Sequence, residues 1–438
     1  MKETIIQFGE GNFLRGFFDW FLDCLNKQGL YNGKAVVVQP REGGKCGALS
    51  GQNCQYNLYL RGIVDGNIQN NHYHIDSISR AIDPYKNPEE YFALADNPDF
   101  RFVVSNTTEA GIAFDPECKF EDAVCKSFPG KLTQLLFRRY KNGFKGFVFL
   151  PCELIDNNGA ELKNCIIKYA EHWGLEKSFA DWINNENVFA NTLVDRIVTG
   201  YPDDETTKNH PEDEFLDTGE IFHLWVIEGD FEKELPLKKA GFNVVWTKDV
   251  SPYKKIKVRI LNGAHTSLVA GALLSGIETV GEAMENDLTN AFLNKCMSEE
   301  ILPTIGETAE SLSFAKSVFD RFSNPFIKHK WRSIALNSVS KFSVRVLPTI
   351  LEYKEKNGEY PKCLTLSLAY LIHFYKNDNP EDSCDVIKIM QNESIEDILK
   401  NTQLWQVDIS NMTEVVTKYY GEIEKMGAKE AMKWIISE

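Results

Sequence analysis

Residues 4–29, TIIQFGEGNFLRGFFDWFLDCLNKQG, carry the pattern that decides the fold of the N-terminal half. The first five residues have the composition of a short strand, Gly9 and Gly11 follow directly, and an amphipathic helical pattern fills the rest. A second β-rich run, Lys34-Ala-Val-Val-Val38, lies at the distance expected for a βαβ unit. The stretch therefore predicts strand, glycine turn and helix, which is the start of a parallel sheet.

Strand and helix patterns continue to alternate through the N-terminal half and are replaced by helix patterns alone in the C-terminal half. Apolar runs at 101–104 and 146–150 alternate with helical stretches, the polar segment 201–213 is predicted to be an exposed loop, and 219–228 is predicted to be a returning strand. From about residue 255 segments with a 3.6-residue period dominate, namely 257–275, 280–298, 307–320, 330–355, 362–376 and 411–437. We expect an α/β Rossmann-like domain over 1–250 with a parallel sheet, followed by a mainly α-helical domain over 251–438.

Composition narrows the class of protein. A chain of 438 residues exceeds what one hydrophobic core of ordinary size supports, so two domains are expected. A net charge of −15 repels phosphate backbones and anionic membrane surfaces, which argues against nucleic acid and membranes as partners. The ten cysteines form no C-x-x-C pair, the chain starts without an apolar leader, and no apolar run approaches the roughly 20 residues of a membrane span. We expect a cytoplasmic protein with free thiols.

The Gly9-x-Gly11 turn after a strand allows the close backbone approach that a dinucleotide pyrophosphate needs. The third glycine of the usual spacing falls on Leu14, with the next at Gly16, and a tight turn that binds nothing explains these residues about equally well. The second strand is followed by Gln39-Pro40-Arg41-Glu42, so no acid stands at its tip to bind a ribose 2′-hydroxyl. Arg41 could accept a 2′-phosphate or be a solvated loop cation, so the residues alone leave NAD and NADP open.

A second pattern opens the helical half, Lys257-x4-Asn262-x2-His265. On an α-helix, at about 100° per residue, Asn262 lies about 140° and His265 about 80° from Lys257, so one side of the helix can present all three. A lysine can exchange a proton with a hydroxyl or carbonyl oxygen, an asparagine can stabilise the charge that this oxygen gains, and a histidine can hold a neighbouring hydroxyl. A snorkelling lysine beside two interior polar groups explains the same residues.

This pattern and several longer segments resemble the mannitol dehydrogenase family of polyol-specific long-chain dehydrogenases, and most of all its tagaturonate-reducing branch. The matching segments are 6–15, 105–112, 151–156, 191–202, 215–218, 261–266, 321–329 and 333–337. The resemblance extends from residue 4 to about 376. Between Gly51 and Tyr56 the chain keeps Gln52 and Tyr56 of the branch's pattern but not the residues between them, and the stretch beyond about 376 is the least recognisable.

The resemblance implies an NAD-dependent, metal-independent oxidoreductase that interconverts tagaturonate and altronate in hexuronate catabolism. It implies Lys257 as the general acid/base and His265 as a substrate contact. It also implies that Asn191 and Asn262 together stabilise the oxyanion, although Asn191 in its own segment, ANTLVDR, is typical of a helix N-cap. The residues expected to contact the cofactor are Gly9, Gly11, Asn12, Phe13, Arg41 and Asn106.

Substrate choice depends on charge. A sugar acid needs a cation for its carboxylate, and the segment 321–345 contains Arg321, Lys328, His329, Arg332, Lys341 and Arg345 but no Asp or Glu. We expect Arg321, Lys341 and Arg345 to bind the substrate carboxylate. A neutral polyol needs none of them, so fructuronate reductase and mannitol 2-dehydrogenase remain alternatives, and a solvated basic face explains the cluster equally well.

Two other classes of function fit less well. A catalytically silent dinucleotide sensor would have no use for the acid/base residues. A zinc dehydrogenase would depend on His72 and His74, which share one face of a predicted strand, but no Cys or acid stands at ligand spacing beside them. We therefore expect no metal ligands.

Overall fold

The computed structural model describes residues 1–438 and divides them into two compact units. The α/β unit comprises residues 1–61 and 68–250, and the helical unit comprises residues 62–67 and 251–438.

Thirteen strands form three sheets. They are β1 (Lys2–Phe8), β2 (Gly33–Val38), β3 (Tyr56–Val64), β4 (Asn67–Ile75), β5 (Ile78–Ile82), β6 (Phe102–Ser105), β7 (Val148–Pro151), β8 (Val188–Phe189), β9 (Thr192–Asp195), β10 (Val198–Gly200), β11 (Asp217–Glu220), β12 (Leu224–Glu228) and β13 (Val244–Thr247). The largest sheet has the order β5-β2-β1-β6-β7-β8, and all its neighbours are parallel. The predicted parallel α/β sheet is confirmed.

The order of this sheet fixes where a ligand can bind. The chain leaves β1 for β2 on one side and later returns to β6 on the other side, which opens a crevice beyond the carboxyl end of β1. Both faces of the sheet are covered, because Ile5 belongs to one hydrophobic core and the next residue, Ile6, belongs to another. The helices of this unit are Asn12–Arg15, Phe18–Lys27, Cys46–Gly51, Pro88–Phe92, Ala93–Asp96 (3₁₀), Phe128–Lys141, Asn158–His172, Lys177–Glu186 and Thr206–Asn209.

The segment 219–228 does not form the single returning strand that the sequence predicts. It contributes β11 to a sheet ordered β10-β11-β3-β4, and β12 to a separate sheet ordered β13-β12-β9. Between the two strands the carbonyl groups of Ile221 and Phe222 accept hydrogen bonds from the buried guanidinium of Arg196, at 3.0 and 3.1 Å. The chain breaks there because Arg196 takes the acceptors that a continuous strand would use.

The helical unit is mainly α-helical, as predicted, and it has no sheet of its own. Its helices are in several cases shorter than the predicted segments. They are Ser251–Lys257, Val258–Asn262 (π), Gly263–Leu274, Val280–Glu285, Asp287–Lys295, Cys296–Ile301 (π), Leu302–Ile305, Ala309–Phe322, Trp331–Ala335, Ser338–Arg345, Leu347–Asn357, Lys362–Asn377, Cys384–Asn392, Ile395–Lys400, Thr402–Trp405, Ser410–Met412 (3₁₀), Thr413–Met426 and Ala428–Ser437. The predicted segment 330–355 is divided because Asn337 adopts a left-handed conformation, φ +54°, which interrupts the helix. None of the helices combines the length and the apolar character that crossing a membrane requires.

Candidate active site

The glycine turn after β1 has a backbone that only glycine adopts easily. Gly9 has φ +126°, and its N–H donates to the carbonyl of Val38 at 3.1 Å. A Cβ atom at Gly9 would lie 2.9 Å from the carbonyl oxygen of Asn106. At Gly11 a Cβ atom would meet no heavy atom within 4 Å, so the missing side chain leaves open space.

The helix after this turn is not continuous, which differs from the prediction. It ends at Arg15 after one turn and begins again at Phe18. The backbone leaves helical geometry at Phe17, φ −128° and ψ −80°. Beside it, a Cβ atom at Gly16 would lie 2.9 Å from the side chain of Val198. Gly16 thus lets the chain approach β10, while Leu14, at the position of the usual third glycine, is buried in the core.

A cavity of about 590 Å³ opens beside this turn. Its lining includes all six residues predicted to contact the cofactor, Gly9, Gly11, Asn12, Phe13, Arg41 and Asn106, and continues through the segments 107–115 and 126–128. This volume lies in the usual range for cofactor sites, about 300–1,000 Å³. A crevice at the carboxyl end of β1 with a glycine turn in its wall suits a dinucleotide, and the individual cofactor contacts stay predictions.

Two buried residues that the sequence did not single out hold the walls of this cavity. Glu153, directly after β7, accepts hydrogen bonds from the backbone and hydroxyl of Thr107 and from the hydroxyl of Ser105, each at 2.9 Å. Lys131 contacts the Tyr85 hydroxyl and donates to the carbonyl of Pro40 at 2.5 Å. Burial raises the pKa of Glu153 and lowers the pKa of Lys131 to about 8. A charged residue at the end of a buried strand was the available signal for Glu153.

Asn191 has two well-defined hydrogen bonds in the α/β unit. Its Oδ1 accepts from the backbone N–H of Ala160 at 3.1 Å, and its Nδ2 donates to Glu228 Oε2 at 2.8 Å. The segment after it is strand β9 and not the helix that its composition suggested. Asn191 therefore caps a different helix, Asn158–His172, and its amide is held in one orientation.

In the helical unit, Lys257, Asn262 and His265 do not lie on one continuous α-helix. Lys257 ends the helix Ser251–Lys257, a π turn covers Val258–Asn262, and His265 lies in the helix Gly263–Leu274. The predicted angle of about 140° between Lys257 and Asn262 is wrong for this geometry, because a π turn closes i→i+5 hydrogen bonds. The π turn brings the two residues closer in angle than an α-helix would.

The imidazole of His265 lies among aromatic rings. It stacks on Phe322 with a centroid distance of 4.1 Å, and the rings of His329 and Trp331 meet it edge-on at 5.3 and 6.1 Å. Burial lowers the pKa of His265 well below its ordinary value, and the charges of His329, Arg321 and Arg345 lower it further. The ring is therefore neutral at pH 7 and can donate or accept a hydrogen bond.

The three cations expected to bind a carboxylate belong to one electrostatic cluster around His265. The cation cluster consists of His265, Arg321, His329, Lys341 and Arg345. Burial lowers the pKa of Lys341, with Arg345 as the next cause, and burial alone lowers the pKa of Arg345. A Cβ atom at Gly263 would lie 3.4 Å from the carbonyl oxygen of Arg345, so this close approach brings the two helices together. Arg332 is separate, because it pairs with Asp378 at 3.0 Å.

Potential metal ligands occur in two places. His72 and His74 bond to the amide oxygens of Asn57 and Gln55, at 2.8 and 3.3 Å. Cys296, Glu300 and Cys363 form a buried group whose ligand atoms lie within 4.8 Å of one another. The carboxylate of Glu300 already accepts from the N–H groups of Cys363 and Leu364 at 2.7 and 2.8 Å, so it caps the helix Lys362–Asn377.

Sequence comparisons identify relatives of both halves. The family model of the mannitol dehydrogenase Rossmann domain matches residues 3–239, and that of the mannitol dehydrogenase C-terminal domain matches residues 249–427. Curated proteins named altronate oxidoreductase are similar over most of their length. The Bacillus subtilis (strain 168) protein is 42% identical over 98% of this chain and 95% of its own. The Phocaeicola vulgatus protein is 41% identical over 99% and 97%, and that of Yersinia enterocolitica is 46% identical over 86% and 80%.

Solved structures share the fold. A D-sorbitol dehydrogenase in substrate-free form aligns with a TM-score of 0.86 at 23% identity, covering 99% of this chain and 95% of its own. Pseudomonas fluorescens mannitol 2-dehydrogenase, in a ternary complex with NAD and D-mannitol, aligns with a TM-score of 0.74 at 22% identity, covering 100% and 95%. With both family models matched and relatives above 40% identity across nearly its whole length, the chain belongs to the mannitol dehydrogenase family of oxidoreductases.

Proposed function

We propose that this chain is an NAD-dependent oxidoreductase that interconverts D-tagaturonate and D-altronate, a step of hexuronate catabolism, with lysine acid/base catalysis and no metal ion. The observation that carries the proposal is the cation cluster of the helical unit, which suits a carboxylate-bearing sugar. The altronate oxidoreductase names of relatives at 41–46% identity support the same substrate.

NAD binds in the cavity beside the glycine turn, where Gly9, Gly11, Asn12 and Asn106 form part of the wall. The bound dinucleotide supplies or accepts the hydride. Arg41 also lines the cavity, and its exposed side chain takes no part in a buried network. This wall serves to orient the cofactor, and side chains elsewhere carry out the chemistry.

Lys257 gives a proton to the substrate carbonyl oxygen during reduction and removes it from the hydroxyl during oxidation. Its place at the start of a π turn supports this role, because π turns inside α-helices are frequent at functional sites. Asn262 and Asn191 donate to the oxygen that gains charge. The Nδ2 of Asn191 carries two hydrogens, of which Glu228 takes one.

His265 holds a neighbouring substrate hydroxyl as a neutral imidazole. The lowered pKa of His265 supports this role, since a neutral ring has one donor and one acceptor for a sugar hydroxyl. Lys341, Arg345 and Arg321 bind the carboxylate. A substrate carboxylate relieves the repulsion among these cations, which a neutral polyol does not.

The test is a panel of initial rates with NADH and NADPH against tagaturonate, fructuronate and fructose. We expect tagaturonate with NADH to give the highest kcat/KM, and fructose to be turned over slowly. Preference for fructuronate would reassign the substrate within the sugar acids, and preference for fructose would reject the carboxylate role of the cation cluster.

Metal independence has its own test. Prolonged treatment with EDTA should leave the rate with tagaturonate unchanged, because the proposed proton transfer and charge stabilisation use only side chains of this chain. Loss of activity that zinc restores would reject the lysine mechanism.

A further inference from the structure

Arg15 lies beneath the glycine turn and bonds to two parts of it. Its Nη1 donates to the carbonyl oxygen of Glu10 at 2.6 Å, and its Nη2 donates to Asn12 Oδ1 at 2.8 Å. Glu10 and Asn12 both line the dinucleotide cavity. The guanidinium itself is buried, and its side chain is 6% exposed. Arg15 thus reaches the cavity wall from inside the protein.

The bond to Glu10 fixes the orientation of a peptide group. In a trans peptide the C=O and N–H point in opposite directions, so a Glu10 carbonyl directed at Arg15 turns the N–H of Gly11 the other way. Gly11 also leaves room beside this peptide, since a Cβ atom there would meet no heavy atom within 4 Å. The preceding carbonyl, of Gly9, is held similarly by Gln7 Nε2 at 3.0 Å. Two consecutive peptides of the turn are therefore fixed from within.

Asp217 on β11 keeps the guanidinium in place. Its Oδ2 lies 3.6 Å from Arg15 Nη2 and makes no hydrogen bond, while its Oδ1 accepts from the backbone N–H of Thr218 at 2.9 Å. The rings of Phe215 and Tyr56 enclose the guanidinium at 5.1 and 5.6 Å. Buried ion pairs often add little stability over apolar residues of the same size, so stability alone is a weak reason for this pair.

Gly200, on β10, lies against the side-chain amide of Asn12. It has φ +83°, and a Cβ atom there would lie 2.2 Å from Asn12 Nδ2. The Asn12 amide is therefore confined between the guanidinium of Arg15 and the backbone of β10.

We propose that Arg15 is a positioning residue of the dinucleotide site: anchored by Asp217, it fixes the Glu10–Gly11 peptide and the Asn12 side chain before NAD binds. A site that is already ordered loses less conformational entropy on binding, which strengthens affinity without changing the chemical step. This inference rests on the proposed NAD site and is independent of the choice of sugar substrate.

The primary test is Arg15→Lys, because a single ammonium cannot donate to Glu10 and Asn12 in the two directions that the guanidinium uses. NADH affinity is measured directly by fluorescence titration at pH 8, since burial raises the pKa of Asp217 to about 7 and the carboxylate is charged above it. We expect Kd for NADH to rise roughly 10- to 100-fold, as for loss of a charge-assisted hydrogen bond. At saturating NADH, kcat should stay within about twofold of wild type.

Arg139→Lys is the matched control. Arg139 is equally buried and donates to the carbonyl groups of Lys145, Asn97 and Phe100, none of which lines the cavity. This variant should lose stability and keep the wild-type Kd for NADH. An equal rise in Kd in both arginine variants would overturn the proposal, because the effect would then come from general loosening of the unit.

Two further variants keep the test decisive if Arg15→Lys fails to fold. Asp217→Asn should raise Kd for NADH by a smaller factor, and Gly200→Ala should raise it by displacing Asn12. Wild-type affinity in both would overturn the proposal. Combining Asp217→Asn with Arg15→Lys should give less than the product of the two effects. If wild type binds NADH but does not reduce tagaturonate, the substrate assignment fails and the role of Arg15 stands.

Discussion

The dinucleotide cavity and the cation cluster solve the problem of ligand binding in different ways. The cavity wall contains the glycine turn, and the buried cation beneath it, Arg15, faces the carboxylate of Asp217. In the cation cluster, Lys341 and Arg345 are partly buried beside each other, and their pKa values are lowered. Lys341 also lies in the field of Asp382. The proposed function assigns a dinucleotide to the first site and a substrate carboxylate to the second.

The largest expected effect tests whether the helical unit carries the chemistry. Lys257→Ala should lower kcat by about 10²–10⁴, the usual contribution of general acid–base catalysis, and leave Kd for NADH nearly unchanged. Lys255→Ala is the control on the same helix, since Lys255 forms an exposed pair with Glu352 at 3.2 Å. A loss below tenfold in kcat for Lys257→Ala would remove the lysine from this role.

The next largest effect is expected for the two asparagines, Asn191 in the α/β unit and Asn262 in the helical unit. Asn262→Ala and Asn191→Ala should each lower kcat by about 10²–10³, and the double variant should fall short of the product. Because Asn191 also caps the helix Asn158–His172, its variant should lose about 1 kcal/mol of stability as well. Thermal unfolding of both variants separates the roles. An Asn191→Ala protein with lower stability and full kcat would be a capping variant only.

The cation cluster gives a smaller effect that depends on the substrate. Arg345→Met and Lys341→Met should each lower kcat/KM for tagaturonate about ten- to a hundredfold through loss of a charge-assisted hydrogen bond. The slow reaction with fructose should be almost unchanged. Arg332→Met removes a cation of the same segment that already has a partner, Asp378, and should affect neither substrate. Equal losses for both substrates would mean that the cluster is structural.

The smallest expected effect concerns stability and involves Lys131, a buried cation of the α/β unit that bonds to no carboxylate, whereas Arg15 faces one. Burial lowers the pKa of Lys131 from 10.5 to about 8. Between these values the unfolded chain binds more protons than the folded one, so this residue makes folding stability rise with pH in that window and remain constant below it. Urea unfolding of wild type and Lys131→Met at pH 7.5 and 9.5 measures the difference. The rise should be smaller in the variant, and equal slopes would reject the lowered pKa.

The sequence predicts the large sheet well because its signals are local. Short continuous apolar runs indicate β1 and β2, and Gly9 needs its conformation whatever lies around it. The break at 221–223 has no local signal, since it depends on Arg196, which is distant in sequence.

Some features of the candidate site can likewise be predicted from the sequence, and others cannot. The residue types at 257, 262 and 265 are visible in the sequence, but the π turn is not, because its five residues are too few to reveal a change of helical period. The clustering of Lys341 and Arg345 around His265 requires the close approach at Gly263, which only the folded structure displays.

The π turn at Val258–Asn262 also sets a rotational phase for everything after it. If the same residues adopted ordinary α-helical geometry without a deletion, the following helix would be rotated relative to Lys257 by about 100°, the angle of the one residue that the π turn absorbs. His265 would then leave the Phe322 stack or pull the helix Gly263–Leu274 out of its packing. The relative directions of Lys257, Asn262 and His265 therefore depend on the π turn as well as on their spacing in the sequence. A homologue with one residue fewer between the lysine and the asparagine would need an unbroken α-helix there to present the same surface to its substrate.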